Sequence, residues 1–195
     1  MANPVDARTW VNRGAFVVLA TIIMIVQLVP QSMAPTIFQI RFPGGIAGPW
    51  DVKVIFPDIL LAVTLVWVAR RPKYLPVWII ALIFLVCDLV FQRPPGLWAG
   101  FVVLLTESLR KRSREFRSLP FLAEWGTVAL GVIIITLANR FVLAIVVTPL
   151  APLGLTLVQM ILTIAVYPLV ALVAHYLFGV SKAAPGEIGS RGQPI

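Results

Sequence analysis

ALIFLVCDLVFQRPPGLW, residues 81–98, holds one aspartate, Asp88, inside a run of side chains that otherwise belong in hydrocarbon, and stops at an Arg-Pro-Pro-Gly corner. The remainder of the chain has the same character. Of its 195 residues, 59% are hydrophobic and only 12% charged, far from the balance of a soluble domain. The sequence therefore predicts an all-α integral membrane protein. The formal charge of +8 does not indicate nucleic acid, because the basic residues sit between apolar runs and form no stripe with interleaved aromatics.

Working outward from this stretch, apolar blocks fall at about 14–30, 55–69, 75–92, 95–109, 120–148 and 153–178. They predict a six-transmembrane-helix bundle in a single domain over about residues 1–181, followed by a flexible tail over about 182–195. The second and fourth blocks are short, roughly 22 Å of helix, so they must thin the bilayer, use their flanks or be shielded by neighbours. The fifth is long enough to tilt or protrude. Pro30, Pro35, Pro43, Pro49 and Pro57, with Gly44, Gly45 and Gly48, break the segment between the first two blocks, which reads as a surface or re-entrant loop.

Lys and Arg set the orientation. One side of six spans collects Arg8, Arg13, Arg70, Arg71, Lys73, Arg110, Lys111, Arg112, Arg114, Arg117, Lys182 and Arg191, and the other only Arg41, Lys53 and Arg93. The positive-inside rule then places both termini in the cytoplasm. The first block reads as an uncleaved helix, since a cut after Ala34 would put Pro35 beside the scissile bond.

Charges inside spans are expensive, about 2.5 to 3.5 kcal/mol at mid-membrane, and normally face partners. In this topology Asp58 lies near the outer end of the second span and Asp88 about 7 Å below the outer end of the third. Arg140 reaches a similar level, roughly 30 Å along the fifth. The expectation is a structural or partner-binding polar cluster of Asp58, Asp88, Asn139 and Arg140, two carboxylates around one guanidinium. On the inner side, Glu107 and Glu124 flank the basic loop of Arg110, Lys111, Arg112, Arg114 and Arg117, and local charge pairing is expected. Gly96 and Gly100 form a small-xxx-small pattern suited to close helix packing. Cys87, the one cysteine, reads as an apolar filler, and His175 as a hydrogen-bonded interior or interfacial side chain. No nucleophile elbow, phosphate-binding loop or zinc motif occurs, so neither catalysis nor a cofactor or metal is expected.

The run FPDILLAVTLVWVARRP, residues 56–72, then Pro76, the helix ending Cys-Asp-Leu-Val-Phe-Gln, Pro95-Gly-Leu-Trp98 and a basic exit resemble the bacterial rod shape-determining protein MreD family. The resemblance covers about residues 56–114 at motif level. Its elements are Pro57-Asp58 entering the second span, Arg70-Arg71-Pro72 leaving it, Asp88, and the Pro-Gly-Leu that opens the fourth. The family's usual glycine shortly before the third-span aspartate is replaced here by Phe84, Leu85 and Val86, which puts close packing there in doubt, and Asn139 and Arg140 depart from the family's ordinary fifth span. The resemblance implies a non-enzymatic scaffold of the elongasome in the bacterial inner membrane, organising peptidoglycan synthesis and cell shape. Its implied partners are the coiled-coil protein MreC, directly, and the actin-like MreB and the lateral wall synthase pair of glycosyltransferase and transpeptidase, directly or through MreC. It further implies a bundle similar in span number and size to the substrate-binding subunits of energy-coupling-factor transporters. Anionic lipid under the basic loops and a second copy of the chain are compatible partners. The alternative is a small-molecule, vitamin-type substrate-binding subunit of a transporter, although the Ala-x-x-x-Ala by which such subunits generally dock their motor is missing from this sequence.

Overall fold

The computed structural model describes residues 4–33, 56–72, 74–113, 120–146 and 152–178. Arg114, Arg117, the loop over 34–55 and the tail lie outside the described residues. Six helices follow in order: α1 (Pro4–Met33), α2 (Ile59–Arg70), α3 (Val77–Val90), α4 (Leu97–Arg112), α5 (Phe121–Ile145) and α6 (Leu153–Phe178). There is no strand among the described residues. All six apolar blocks coincide with helices. Three of these are long and apolar enough to cross a membrane: Trp10–Leu28, Phe121–Ile145 and Leu153–Tyr176.

The shortest helix is the centre. Leu60 to Ala69 of α2 are all buried, so α2 is apolar all round because it has protein on every side. At 12 residues it is about 18 Å long, less than a bilayer's hydrocarbon thickness of about 30 Å. Neighbouring helices shield it, one of the three solutions open to a short block. By contrast, only 11, 17 and 22% of the apolar windows of α1, α5 and α6 are buried within the protein. These helices turn side chains such as Ile22, Ile134, Phe141, Ile161 and Leu169 outward, as a lipid-facing surface requires.

Specific contacts fix how the helices pack. Phe16 of α1 meets Trp67 edge-on at 5.7 Å. The backbone N–H of Asp58 donates to the Thr163 hydroxyl, and Arg70 donates to the Ala171 carbonyl, so α2 and α6 run parallel. At Gly131 of α5 an added Cβ would run into Leu105 Cδ1 of α4, so the two helices pack tightly at this glycine. Gly96 and Gly100 do not make such an approach: a Cβ at either meets nothing within 4 Å among the described residues. Gly96 is needed for its conformation, φ +83°, at the turn into α4.

Pro168 lies inside α6. Proline has no N–H to return to the carbonyl four residues earlier, that of Ile164. The indole Nε1 of Trp125, on α5, donates to this carbonyl at 3.0 Å, so the neighbouring helix supplies the missing donor. Trp125→Phe keeps an aromatic ring, though a smaller one, and removes the donor. The expected outcome is a loss of about 1 to 3 kcal/mol, measured by thermal unfolding in detergent, with Trp125→Phe/Pro168→Ala losing less than Trp125→Phe alone.

Candidate functional site

Polar side chains gather at the two ends of the bundle. At the end where α2, α4 and α6 begin, the starts of α2 and α4 are each built by an aspartate. Asp58 is the N-cap of α2, and its Oδ1 accepts the Leu61 N–H at 2.9 Å. This is the aspartate cap geometry, satisfying one amide that the helix cannot satisfy itself. Pro57 stands one residue before the cap. Helix α4 starts at Gly96, which has no side chain to cap with. Asp88, on the last turn of α3, takes that role from outside: its Oδ2 accepts the Gly96 N–H at 3.0 Å and the Ala99 N–H at 3.1 Å. Between them the chain turns through Gln92 at φ 54°, and the Arg93 N–H donates to the Asp88 carbonyl. Asp88 is fully buried. The charge inside the third apolar block is thus the cap of the fourth helix.

A cavity of about 400 Å³ opens at the same end, walled by the start of α2, the α3–α4 corner, the end of α5 and the start of α6. Asp58, Asn139 and Arg140 line it together with Arg93. Asp88 does not. The four residues expected as one cluster therefore divide: three share a cavity wall, and the fourth belongs to the helix corner beneath it. Arg140 Nη1 donates to the Thr156 hydroxyl at 3.1 Å, which ties α5 to α6.

The opposite end holds an arrangement that counting charges along the sequence missed. Glu124, on the first turn of α5, is fully buried. Its Oε1 accepts the Tyr167 hydroxyl at 2.9 Å and lies 3.3 Å from Arg70 Nε. The Arg70 guanidinium also sits 5.9 Å from the Phe121 ring centroid, and Phe121 stacks on Tyr167. Among the described residues the partners of Glu124 include groups from α2 and α6, farther along the chain than the local pairing expected of it. The sequence carries no signal for it, since the direction Glu124 turns depends on the rotation of α5 within the bundle. Local pairing does occur at Glu107, whose Oε1 lies 2.8 Å from Arg110 Nε. The same guanidinium donates to the Pro72 and Leu75 carbonyls, clamping α4 against the α2–α3 turn, whereas Lys111 and Arg112 are exposed.

Cys87 is buried and unbridged. His175 is exposed in the last turn of α6, with its ring edge-on to Tyr176 at 5.3 Å. Compared with known proteins, the chain matches no family model, no curated protein and no solved structure at a significant level.

Proposed function

We propose that the chain crosses the bacterial inner membrane six times with both termini in the cytoplasm, and acts as a non-enzymatic scaffold of the MreD type in the cell-elongation complex. The observation that carries this reading is where the resembling residues lie. Asp58 and Asp88 both begin helices, Gly96 makes the turn between α3 and α4, and the intervening α2 is the buried centre. The acids of the motif are spent on architecture, as suits a protein whose work is to present surfaces to partners.

One such surface is available on α3. Trp78, Leu82, Leu85 and Leu89 are exposed at the alternating four- and three-residue spacing of one helix face, the pattern a single partner helix packs against. In this reading that face receives a membrane helix of MreC, and MreB and the wall synthases join through further contacts. The exposed Lys111 and Arg112 lie at the cytoplasmic surface, where each basic residue contributes about 1 kcal/mol of attraction to anionic lipid.

Co-purification of the tagged full chain from detergent-solubilised membranes, with identification by mass spectrometry, tests the proposal. MreC and wall synthases are expected with wild type. Leu82→Ala/Leu85→Ala/Leu89→Ala, which alters only exposed side chains of that face, is expected to reduce their recovery several-fold. A transporter motor or a bound vitamin in their place would establish the carrier reading and overturn the scaffold.

A further inference from the structure

The cavity at the Asp58 end is not needed to cap helices or to hold α2, yet its wall has a definite chemistry. Two guanidinium groups, Arg93 and Arg140, line it against one carboxylate, Asp58. That carboxylate is already engaged by the Leu61 N–H. The carboxamides of Asn139 and Gln159 also line the cavity, and neither makes a side-chain hydrogen bond to another described residue. The remaining wall includes apolar and aromatic groups, among them Leu97, Trp98 and Met160. Cationic forks and amide donors above an apolar wall suit a ligand with an oxyanion at one end and hydrocarbon at the other.

We propose that this cavity binds an amphiphile whose phosphate headgroup is net negative, with the phosphate on Arg140 and Asn139 and the apolar portion along Leu97, Trp98 and Met160. Two features support this occupant over a soluble cation. The wall carries a net positive charge, and its volume of about 400 Å³ lies in the range of small-ligand sites, about 300 to 1,000 Å³. Arg140 is fixed in place by Thr156, which orients the fork before any ligand arrives. Two sources of such a phosphate exist, a lipid headgroup and a free anion, and they differ in whether the apolar wall contributes.

The test uses the full chain in a neutral detergent, titrated separately with short-chain phosphatidylglycerol, short-chain phosphatidylcholine and inorganic phosphate. Binding is followed by thermal unfolding and by native mass spectrometry. The expected result is saturable binding of phosphatidylglycerol, at least tenfold tighter than of phosphatidylcholine. Arg140→Ala should weaken it about tenfold or more, since it removes a charge-assisted hydrogen bond to the phosphate, and Arg140→Lys should restore part of the loss. Asn139→Leu provides a second variant that leaves the guanidinium in place, and it too should weaken binding. Equal binding of inorganic phosphate and phosphatidylglycerol would retain the anion site and remove the amphiphile. Equal binding of both lipids, or wild-type affinity in Arg140→Ala and Asn139→Leu, would overturn the proposal. None of these readouts involves a protein partner, so the inference fails or stands separately from the scaffold reading.

Discussion

Glu124→Ala is expected to destabilise the protein by about 3 to 5 kcal/mol, the largest effect of any single substitution considered. Glu124 is fully buried and the Arg70 side chain is only 10% exposed. Removing one member of a buried ion pair leaves the other charge in a low-dielectric interior, and the cost reflects that stranded charge more than the attraction lost. Here the loss extends further, because the Tyr167 hydroxyl donates to the same oxygen and would lose its acceptor. Glu124→Gln keeps an oxygen for Tyr167 while removing the charge, so it should lose less than Glu124→Ala. Arg70→Met/Glu124→Leu removes both charges and should recover much of the stability. Thermal unfolding of the four proteins in one detergent checks the series. A double variant no better than Glu124→Ala would mean that the network acts through Tyr167 and the packing of Phe121, with little from the ion pair.

Asp88→Ala is expected to cost about 3 kcal/mol and to act locally, on the start of α4. Two backbone amides, those of Gly96 and Ala99, donate to one carboxylate oxygen. Each buried donor left without an acceptor costs about 1 to 3 kcal/mol. Gly96 cannot provide a substitute, having no side chain, and the left-handed conformation at φ +83° opposes replacing it with a residue that could. Asp88→Asn separates capping from charge, since its carbonyl oxygen accepts both N–H groups. It is expected to lose about 1 kcal/mol or less. Hydrogen exchange supplies the local readout: faster exchange at Gly96 to Gly100 in Asp88→Ala, with α6 unchanged, supports the cap. Uniformly faster exchange throughout the bundle would show that Asp88 supports the fold in another way.

The same pair of acids shows where reading the sequence reached its limit. Asp58 and Asp88 were legible as important, because a carboxylate within an apolar run demands a partner. Their partners were not. Depth along a span is one coordinate, and it placed Asp58, Asp88, Asn139 and Arg140 at one level without saying which way each side chain turns. The structure turns Asp88 down into the α3–α4 corner and Asn139 and Arg140 toward the cavity. Among the described residues the Gly-x-x-x-Gly at 96 and 100 meets no neighbouring helix closely, for a related reason. A spacing marks one helix face, but which face meets a neighbour depends on rotation within the bundle, and a close approach falls at Gly131.

Boundaries failed in a different manner. Helix α1 begins at Pro4, about ten residues before the first apolar block, because Val5 to Arg13 contain no proline or glycine to stop a helix even though they are too polar for hydrocarbon. Hydropathy measures the solvent a segment prefers, whereas helix length follows backbone constraints, and the two separate wherever a helix leaves the membrane.

By itself the sequence determined the all-helical class, the number of apolar segments and the approximate place of each, since these follow from solvent preference and from the positions of proline and glycine along a single dimension. Only the tertiary structure decided that the shortest helix, α2, would be the centre, that Trp125 would serve the Ile164 carbonyl across from Pro168, and that Arg70, Glu124 and Tyr167 would close one buried network. Each of these joins residues about 40 to 100 positions apart. Such a pairing depends on how helices rotate and pack around one another, a property of the assembled bundle that no local pattern encodes.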